Sequence, residues 1–159
     1  MRRLNLVFSL ILVVLTSCSS IDCPVNNTPY CNYVLRGEIT TLTDTLFITT
    51  SGWAGEAIPV FDKKVNVDEF HLPMSYANEA DTLFFHLTKA NSATRTDTVT
   101  VTKTNQPHFE SVDCPPCYFH TITGVKYTHH SIDSIIISKP KVDYDTTVEN
   151  LLIYFKSVD

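Results

Sequence analysis

Four of the five cysteines pose the first chemical question in this chain. Thiols can pair as disulfides, bind zinc as thiolates, or form a redox-active CxxC motif. The four residues are Cys23, Cys31, Cys114 and Cys117, and the last two enclose a CPPC motif. The folding compartment decides between these chemistries, because disulfides form and persist in oxidising surroundings.

The N-terminus predicts export and a lipid anchor. Two arginines precede an almost wholly apolar segment, residues 4–15, which has the pattern of a secretory signal and is too short for a settled membrane span. The segment ends in Leu15-Thr16-Ser17-Cys18, which resembles the lipobox cleaved by lipoprotein signal peptidase. We therefore expect removal of residues 1–17 and lipidation of Cys18, whose acyl chains would hold the protein on a membrane.

The residues after Cys18 favour the outer membrane. Ser19 and Ser20 follow it with no immediate acidic residue, which resembles the outer-membrane sorting pattern of diderm bacteria. The acidic cluster that marks surface export in some Bacteroidota lipoproteins is missing, with only Asp22 nearby. A periplasm-facing position is therefore favoured over an extracellular one.

In an oxidising periplasm the four remaining cysteines are expected to form disulfides. One possible set is local, Cys23–Cys31 with Cys114–Cys117, and two sets link the N-terminal segment to the middle of the chain. We favour Cys23–Cys114 with Cys31–Cys117, because two Asp-Cys-Pro triplets are alike and a bridge across a long loop restricts the unfolded chain more. Redox activity would need a helix N-terminus and zinc would need reduced thiolates, so both are disfavoured.

The six histidines raise a metal or catalytic alternative. A His129-His130 doublet lies near an expected turn, and a second group comprises His108, Glu110, Asp113 and His120. These spacings match no familiar zinc site, and neither Gly-x-Ser-x-Gly nor His-Glu-x-x-His occurs. We therefore expect no enzyme activity, no metal site and no cofactor. The formal net charge of −5, with no basic stripe, also argues against nucleic acid as a partner.

Aromatic residues supply the candidate contact surface. Trp53, the only tryptophan, lies between two glycines and could stack on a sugar ring or contact a protein partner, or it could fold back over the end of the domain. Tyr30, Tyr76 and Tyr118 could join it in one patch. The sequence leaves open whether these side chains converge.

A short triplet, Asp followed by Ser or Thr and then an aliphatic residue or Thr, recurs at strand entrances. The aspartate can cap a turn while the apolar residue enters the core. The triplet also resembles the O-glycosylation signal of Bacteroidota envelope proteins, and a bulky sugar would need an exposed loop position. The candidate hydroxyl residues are Thr45, Thr82, Thr98, Ser134 and Thr146.

Hydrophobic periodicity of two predicts strands almost everywhere. Expected strands cover residues 33–39, 46–50, 83–88, 96–104, 119–125, 132–138 and 151–156, with one or two more around Pro73. Short strands rich in Thr, Val, Ile, Phe and Tyr indicate an all-β antiparallel sandwich, with an immunoglobulin-like arrangement favoured and disulfides stapling it. The expected organisation is a signal peptide (1–17), a lipidated tether (18–32) and a β-sandwich domain (33–159).

Four segments resemble a family of uncharacterised Bacteroidota envelope lipoproteins. They are Ser20-Ile21-Asp22-Cys23-Pro24, Leu72-Pro73-Met74-Ser75-Tyr76, the segment PHFESVDC at residues 107–114, and Phe119-His120-Thr121-Ile122-Thr123. The resemblance covers nearly all of the chain after the signal peptide and implies an envelope protein with no catalytic residues to carry over. Cys31 and Cys117 look like additions to the family pattern, which agrees with their pairing with each other.

These observations favour a binding role. The first hypothesis is a lipid-anchored accessory module of an outer-membrane protein complex, in which the anchor raises the effective concentration of the two partners. The second is a surface lipoprotein that binds glycans through Trp53 and neighbouring tyrosines. A sandwich fold hosts many functions, so the fold alone does not choose between them.

Overall fold

The structure of the chain is a computed structural model that describes Cys23 and residues 28–157. The predicted signal peptide, the lipidation site Cys18 and most of the predicted tether lie outside the described residues. The described residues form ten strands: β1 (Tyr30–Arg36), β2 (Thr45–Ser51), β3 (Ala57–Lys64), β4 (Glu69–Pro73), β5 (Ala80–Thr88), β6 (Arg95–His108), β7 (Cys117–Tyr127), β8 (Ile132–Ile137), β9 (Lys141–Val142) and β10 (Leu151–Phe155).

The strands form two sheets that pack face to face. One sheet has four strands in the order β4-β1-β10-β8, and the other has six in the order β3-β2-β5-β6-β7-β9. All pairings are antiparallel except that of β1 with β10, which is parallel. The predicted all-β sandwich is therefore confirmed, and a disulfide staples it as expected.

Alternating residues explain why β6 forms and how it packs. Asp97, Val99, Val101 and Lys103 are buried along its inner face, while threonines between them face outward. Threonine and valine suit this half-buried, pleated surface because their branched side chains pack well on it. Across the core from this sheet, Tyr33 of β1 belongs to an apolar cluster that contains residues of both sheets.

Two buried polar side chains on β6 interrupt this apolar face. The Asp97 carboxylate accepts hydrogen bonds from Thr128 Oγ1 and from the backbone N–H groups of His130, Ser131 and Ile132, at 2.7–3.1 Å. Burial alone would raise the pKa of Asp97, but these hydrogen bonds outweigh it and hold the pKa below its ordinary value. The aspartate thereby fixes the connection between β7 and β8.

The strand limits differ from the predictions at most strands, and the short strand β9 (Lys141–Val142) was not predicted. The first strand covers Tyr30–Arg36 instead of residues 33–39, and β6 continues past the predicted end at Thr104 to His108. The third strand, Ala57–Lys64, was not predicted. It lies at the edge of the six-stranded sheet, its side chains are exposed or half-buried, and it contains Pro59. An edge strand of this kind lacks the apolar alternation that identifies a strand in sequence.

Candidate functional site

The long β6–β7 hairpin carries a pocket near its tip. Its volume is about 390 Å³, and its walls come from four stretches of chain: the residues before β1, the residues after β4, the start of β7 and the loop before it. The lining residues are Thr28, Pro29, Met74, Tyr76, Pro116, Cys117, Tyr118 and His120. We refer to it as the tyrosine-rimmed pocket.

Two of the predicted contact tyrosines form the rim of this pocket. The rings of Tyr76 and Tyr118 are stacked, with centroids 5.2 Å apart and planes 20° apart. Tyr76 is 66% exposed, so much of its ring remains open to a partner. Tyr30 lies opposite Pro73 in the β1–β4 pairing, which places it beside the pocket without lining it.

His120, on β7, is the most deeply buried polar residue of the pocket wall, at 2% exposure. Its Nδ1 lies 2.8 Å from Asn105 Oδ1. The Asn105 amide nitrogen donates to the backbone carbonyl oxygens of Tyr76 and Asn78, at 3.0 and 2.9 Å. Burial, aided by the nearby Lys103, lowers the pKa of His120 to about 4, so the imidazole is neutral at pH 7.

A buried ion pair supports the pocket wall from below. The Lys103 side chain is fully buried, and its ammonium lies 3.0 Å from Asp81 Oδ2 and donates to Asn78 O at 2.8 Å. Asp81 Oδ2 also accepts from the backbone N–H of Ser75 at 3.2 Å. These contacts hold residues 75–78 in place, and Tyr76 lies within that segment.

The cysteines follow the prediction in part. Cys23 and Cys114 form a disulfide, with 5.6 Å between their Cα atoms, which attaches the N-terminal segment to the loop beside the pocket. Cys31 and Cys117 are free, so the predicted second bridge is not formed. Cys31 lies on β1 in the sandwich core, while Cys117 lies on β7 of the other sheet and its sulfur is 2.9 Å from Tyr144 Oη. Burial raises the pKa of Cys31 to about 12.

Trp53 lies away from the tyrosines. It is fully exposed in the turn between β2 and β3 and does not fold back over the domain. Strand pairing aligns Thr50 of β2, through β5, with Val99 of β6. Trp53 follows Thr50 by three residues, whereas Pro107, the strand partner of Tyr118, follows Val99 by eight residues in the same direction. At about 3.3 Å per residue, the two positions differ by ~16 Å along the strands. Among the described rings, Tyr76 stacks on Tyr118, while the fully exposed Trp53 lies in a separate turn.

Among the five predicted glycosylation positions, Thr146 alone is both exposed and in a loop. The others lie in strands and are half-buried: Thr45, Thr82, Thr98 and Ser134. Several aspartates of these triplets take the structural role that the capping interpretation predicts. Asp145 Oδ1, for example, accepts from the backbone N–H of Thr147 at 3.0 Å.

The histidines near the hairpin tip serve packing. His108 stacks on Phe119, with centroids 4.3 Å apart, and its Nε2 lies 3.0 Å from Glu110 Oε1. Within Cys23 and residues 28–157, no group of three or more His, Cys, Asp or Glu side chains is arranged to hold a metal ion. The same part of the chain contains no helix long and apolar enough to cross a membrane.

A family model described as a family of unknown function (DUF6452) matches residues 45–155. The chain belongs to this family. The DUF6452 region begins with β2 and ends with β10, so it includes Tyr76, Tyr118 and His120, while Cys23, Thr28 and β1 precede it. No curated protein and no solved structure matches the chain.

The sequence interpretation missed His120, Lys103 and Asn105 as parts of a site. In sequence, His120 belongs only to a group of possible metal ligands whose spacing matches no familiar site. Lys103 left a usable signal, since it falls on the inward-facing side of β6 together with Val99 and Val101, where a lysine must be paired. Asn105 left none, because its partners come from a loop that strand periodicity does not place.

Proposed function

We propose that this protein is a lipid-anchored envelope module without catalytic activity, which binds an outer-membrane protein through the tyrosine-rimmed pocket. Its anchor is the acylated Cys18, and it faces the periplasm from the outer membrane. The observation that carries the proposal is the position of the pocket beside the Cys23–Cys114 disulfide.

The disulfide gives the proposed anchor a short reach. Four residues separate Cys18 from Cys23, so five residue steps join them, and at no more than about 3.6 Å per step an extended chain spans ~18 Å. Cys114 lies only three residues before Cys117, which lines the pocket. A lipidated Cys18 would therefore hold the pocket near the bilayer, where an integral membrane protein is the accessible partner. Such confinement raises the effective concentration of the two proteins.

The chemistry of the pocket supports binding over bond cleavage. Its walls are mainly aromatic and apolar, and the thiol of Cys117 and the imidazole of His120 are three residues apart on one strand. Among the described residues no hydrogen bond joins the two side chains, and His120 Nδ1 is bonded to Asn105 instead, so they do not form a nucleophile–base pair. The Cys117 sulfur instead contacts the Tyr144 hydroxyl.

Site-specific photo-crosslinking in living cells tests this proposal. A photoreactive amino acid replaces Tyr76 in one variant of the full chain and Trp53 in a matched control variant, since both side chains are exposed. We expect the Tyr76 variant to yield one outer-membrane protein in stoichiometric amount, and the Trp53 variant to yield none. Adducts from the Trp53 position alone would contradict the proposal.

A second candidate function is glycan binding, favoured by the full exposure of Trp53. An indole that contacts no core residue offers its whole face to a sugar ring. This function predicts retention on immobilised polysaccharide that is lost in Trp53→Ala and kept in Tyr76→Ala. Equal retention of both variants would exclude it.

We also propose O-glycosylation at Thr146, because a bulky sugar needs the exposed loop position that this residue has. Mass spectrometry of protein isolated from its native envelope is expected to show a glycan that Thr146→Val removes. Thr82→Val is the matched control, since Thr82 is half-buried in β5. A glycan that persists in Thr146→Val would rule out this site.

A further inference from the structure

We infer that the tyrosine-rimmed pocket recognises an uncharged hydrogen-bond donor, such as a tyrosine hydroxyl on a partner protein, and that His120 Nε2 is the acceptor. This inference rests on the proposed function, because it assigns the ligand chemistry of the same pocket. It depends on which ring nitrogen of His120 carries the proton, and the hydrogen-bond network determines that.

Two backbone carbonyl groups fix the orientation of the Asn105 side-chain amide. Its nitrogen faces two backbone carbonyl oxygens, those of Tyr76 and Asn78, which can only accept hydrogen bonds. The amide nitrogen must therefore be the atom on that side. The amide oxygen is left facing His120 Nδ1 at 2.8 Å.

The orientation of the amide sets the tautomer of His120. An amide oxygen is an acceptor only, so Nδ1 must carry the hydrogen that it donates to Asn105. In a neutral imidazole the other nitrogen, Nε2, is then an acceptor with a free lone pair. His120 is 2% exposed and lines the pocket, and within the described residues its Nε2 has no hydrogen-bond partner. A donor carried by a ligand in the pocket would complete this acceptor.

The charges around the pocket exclude two other ligand classes. Lys103, the cation beneath the wall, is fully buried and already paired with Asp81, so it offers nothing to a carboxylate or phosphate. The same ammonium also opposes a positive charge placed at His120. An uncharged donor needs no free cation and is not repelled by Lys103.

The lining favours an aromatic carrier for this donor. Met74, Pro29 and Pro116 supply apolar walls, and the exposed Tyr76 ring offers a stacking surface at the rim. Aromatic rings pack well against both tyrosine and methionine side chains. A phenol combines such a ring with one donor at its end.

The first test needs no ligand. The imidazole ¹⁵N shifts of the full chain, labelled at histidine, report which nitrogen is protonated at pH 7. We expect His120 to be neutral with the hydrogen on Nδ1. A hydrogen on Nε2, or a charged imidazolium, would overturn the inference.

The second test compares two probes that differ by one donor. N-acetyltyrosinamide and its O-methyl ether are titrated into the full chain, and the His120 ¹⁵N signals are followed. We expect the phenol to shift Nε2 and to bind about 3- to 10-fold more tightly than the ether, the range of one net hydrogen bond. Equal affinity for the two probes would overturn the assignment of Nε2 as acceptor.

A variant separates this inference from the proposed function. In His120→Phe the preference for the phenol should disappear, while Tyr76→Ala should weaken both probes alike; the second variant keeps the test valid if the first does not fold. If crosslinking from Tyr76 captures a membrane protein but the probes are not distinguished, the ligand chemistry alone is wrong. If the probes are distinguished but no membrane protein is captured, the accessory role is wrong and the pocket chemistry stands.

Discussion

Replacing Asp97 by Asn should cost this domain a large share of its stability. In the native carboxylate, Oδ1 accepts from Thr128 Oγ1 and His130 N, and Oδ2 accepts from Ser131 N and Ile132 N. An Asn amide is best placed with its nitrogen toward Thr128, whose hydroxyl can turn to accept from it. The N–H of His130 then loses its acceptor, and the two remaining bonds lose their charge.

The magnitude follows from these three changes. One orphaned buried N–H costs about 1–3 kcal/mol, and the loss of charge weakens each of the two remaining bonds by ~1 kcal/mol. Asp97→Asn should therefore lower the free energy of unfolding by about 3–5 kcal/mol at pH 7. Most domains have only about 5–15 kcal/mol in total, so a change of this size is easily measured.

The effect also depends on pH. The pKa of Asp97 is lower in the folded protein than its ordinary value of 3.8, so its carboxylate stabilises the fold at every pH well above 3.8. That stabilisation is lost as the pH falls from about 4 through the lowered folded pKa. The difference between the native chain and Asp97→Asn should therefore be constant near neutral pH and shrink in acid.

Urea denaturation followed by far-ultraviolet circular dichroism measures both effects. Trp53 fluorescence is unsuitable, because the indole is already fully exposed in the folded state. Asp133→Asn is the matched control, since this aspartate begins an equivalent triplet but is exposed and accepts only from its neighbour Ser134. The control should change stability by less than about 0.5 kcal/mol. A change of less than 1 kcal/mol in Asp97→Asn, or a difference that does not shrink in acid, would refute this account of Asp97.

Three further predictions concern the thiols and the buried ion pair. Cys23→Ser should lower the free energy of unfolding by about 4 kcal/mol, because the Cys23–Cys114 bridge closes a loop with a sequence separation of 91 residues. An unchanged midpoint of urea denaturation would show that the bridge is absent. Cys31 should resist iodoacetamide in the folded protein and react after unfolding, because it is buried and its pKa is raised to about 12. Rapid labelling of Cys31 in the folded protein, detected by mass spectrometry, would contradict this prediction. Lys103→Ala should destabilise the fold by about 3–5 kcal/mol, because it leaves Asp81 unpaired, whereas Lys103→Met combined with Asp81→Leu should cost less. A double variant as unstable as the single one in urea denaturation would show that the ion pair is not the cause.

The sequence predicted the parts of this fold that follow a strict local pattern. The strand β6 shows why, since its alternation of threonine with buried residues marks both its conformation and its inner face. The Cys23–Cys114 bridge was predicted because each of the two cysteines lies in an Asp-Cys-Pro triplet. The Cys31–Cys117 bridge was predicted because these two cysteines remained and looked like additions to the family pattern, and neither observation tells on which sheet each thiol lies.

The site itself was only partly predictable. Tyr76 and Tyr118 were predicted as possible members of one contact patch, and whether they meet depends on how the segment after β4 crosses the hairpin. That crossing is set by the buried Lys103 and by Asn105, whose contacts lie 25–29 residues away in sequence. Such distant pairings leave no periodic trace, so they can be found only in three dimensions.

The parallel pairing of β1 with β10 has a consequence for the order in which the chain can fold. β10 lies in the middle of the four-stranded sheet, between β1 and β8, although it is the last of the described strands. Until it arrives, β1 and β8 have no common neighbour and that sheet cannot close over the core. A contact between the first and last strands is among the slowest to form, because the whole intervening chain must be ordered around it. A chain that becomes available for folding from its N-terminus would therefore stay incompletely folded until β10 is available as well.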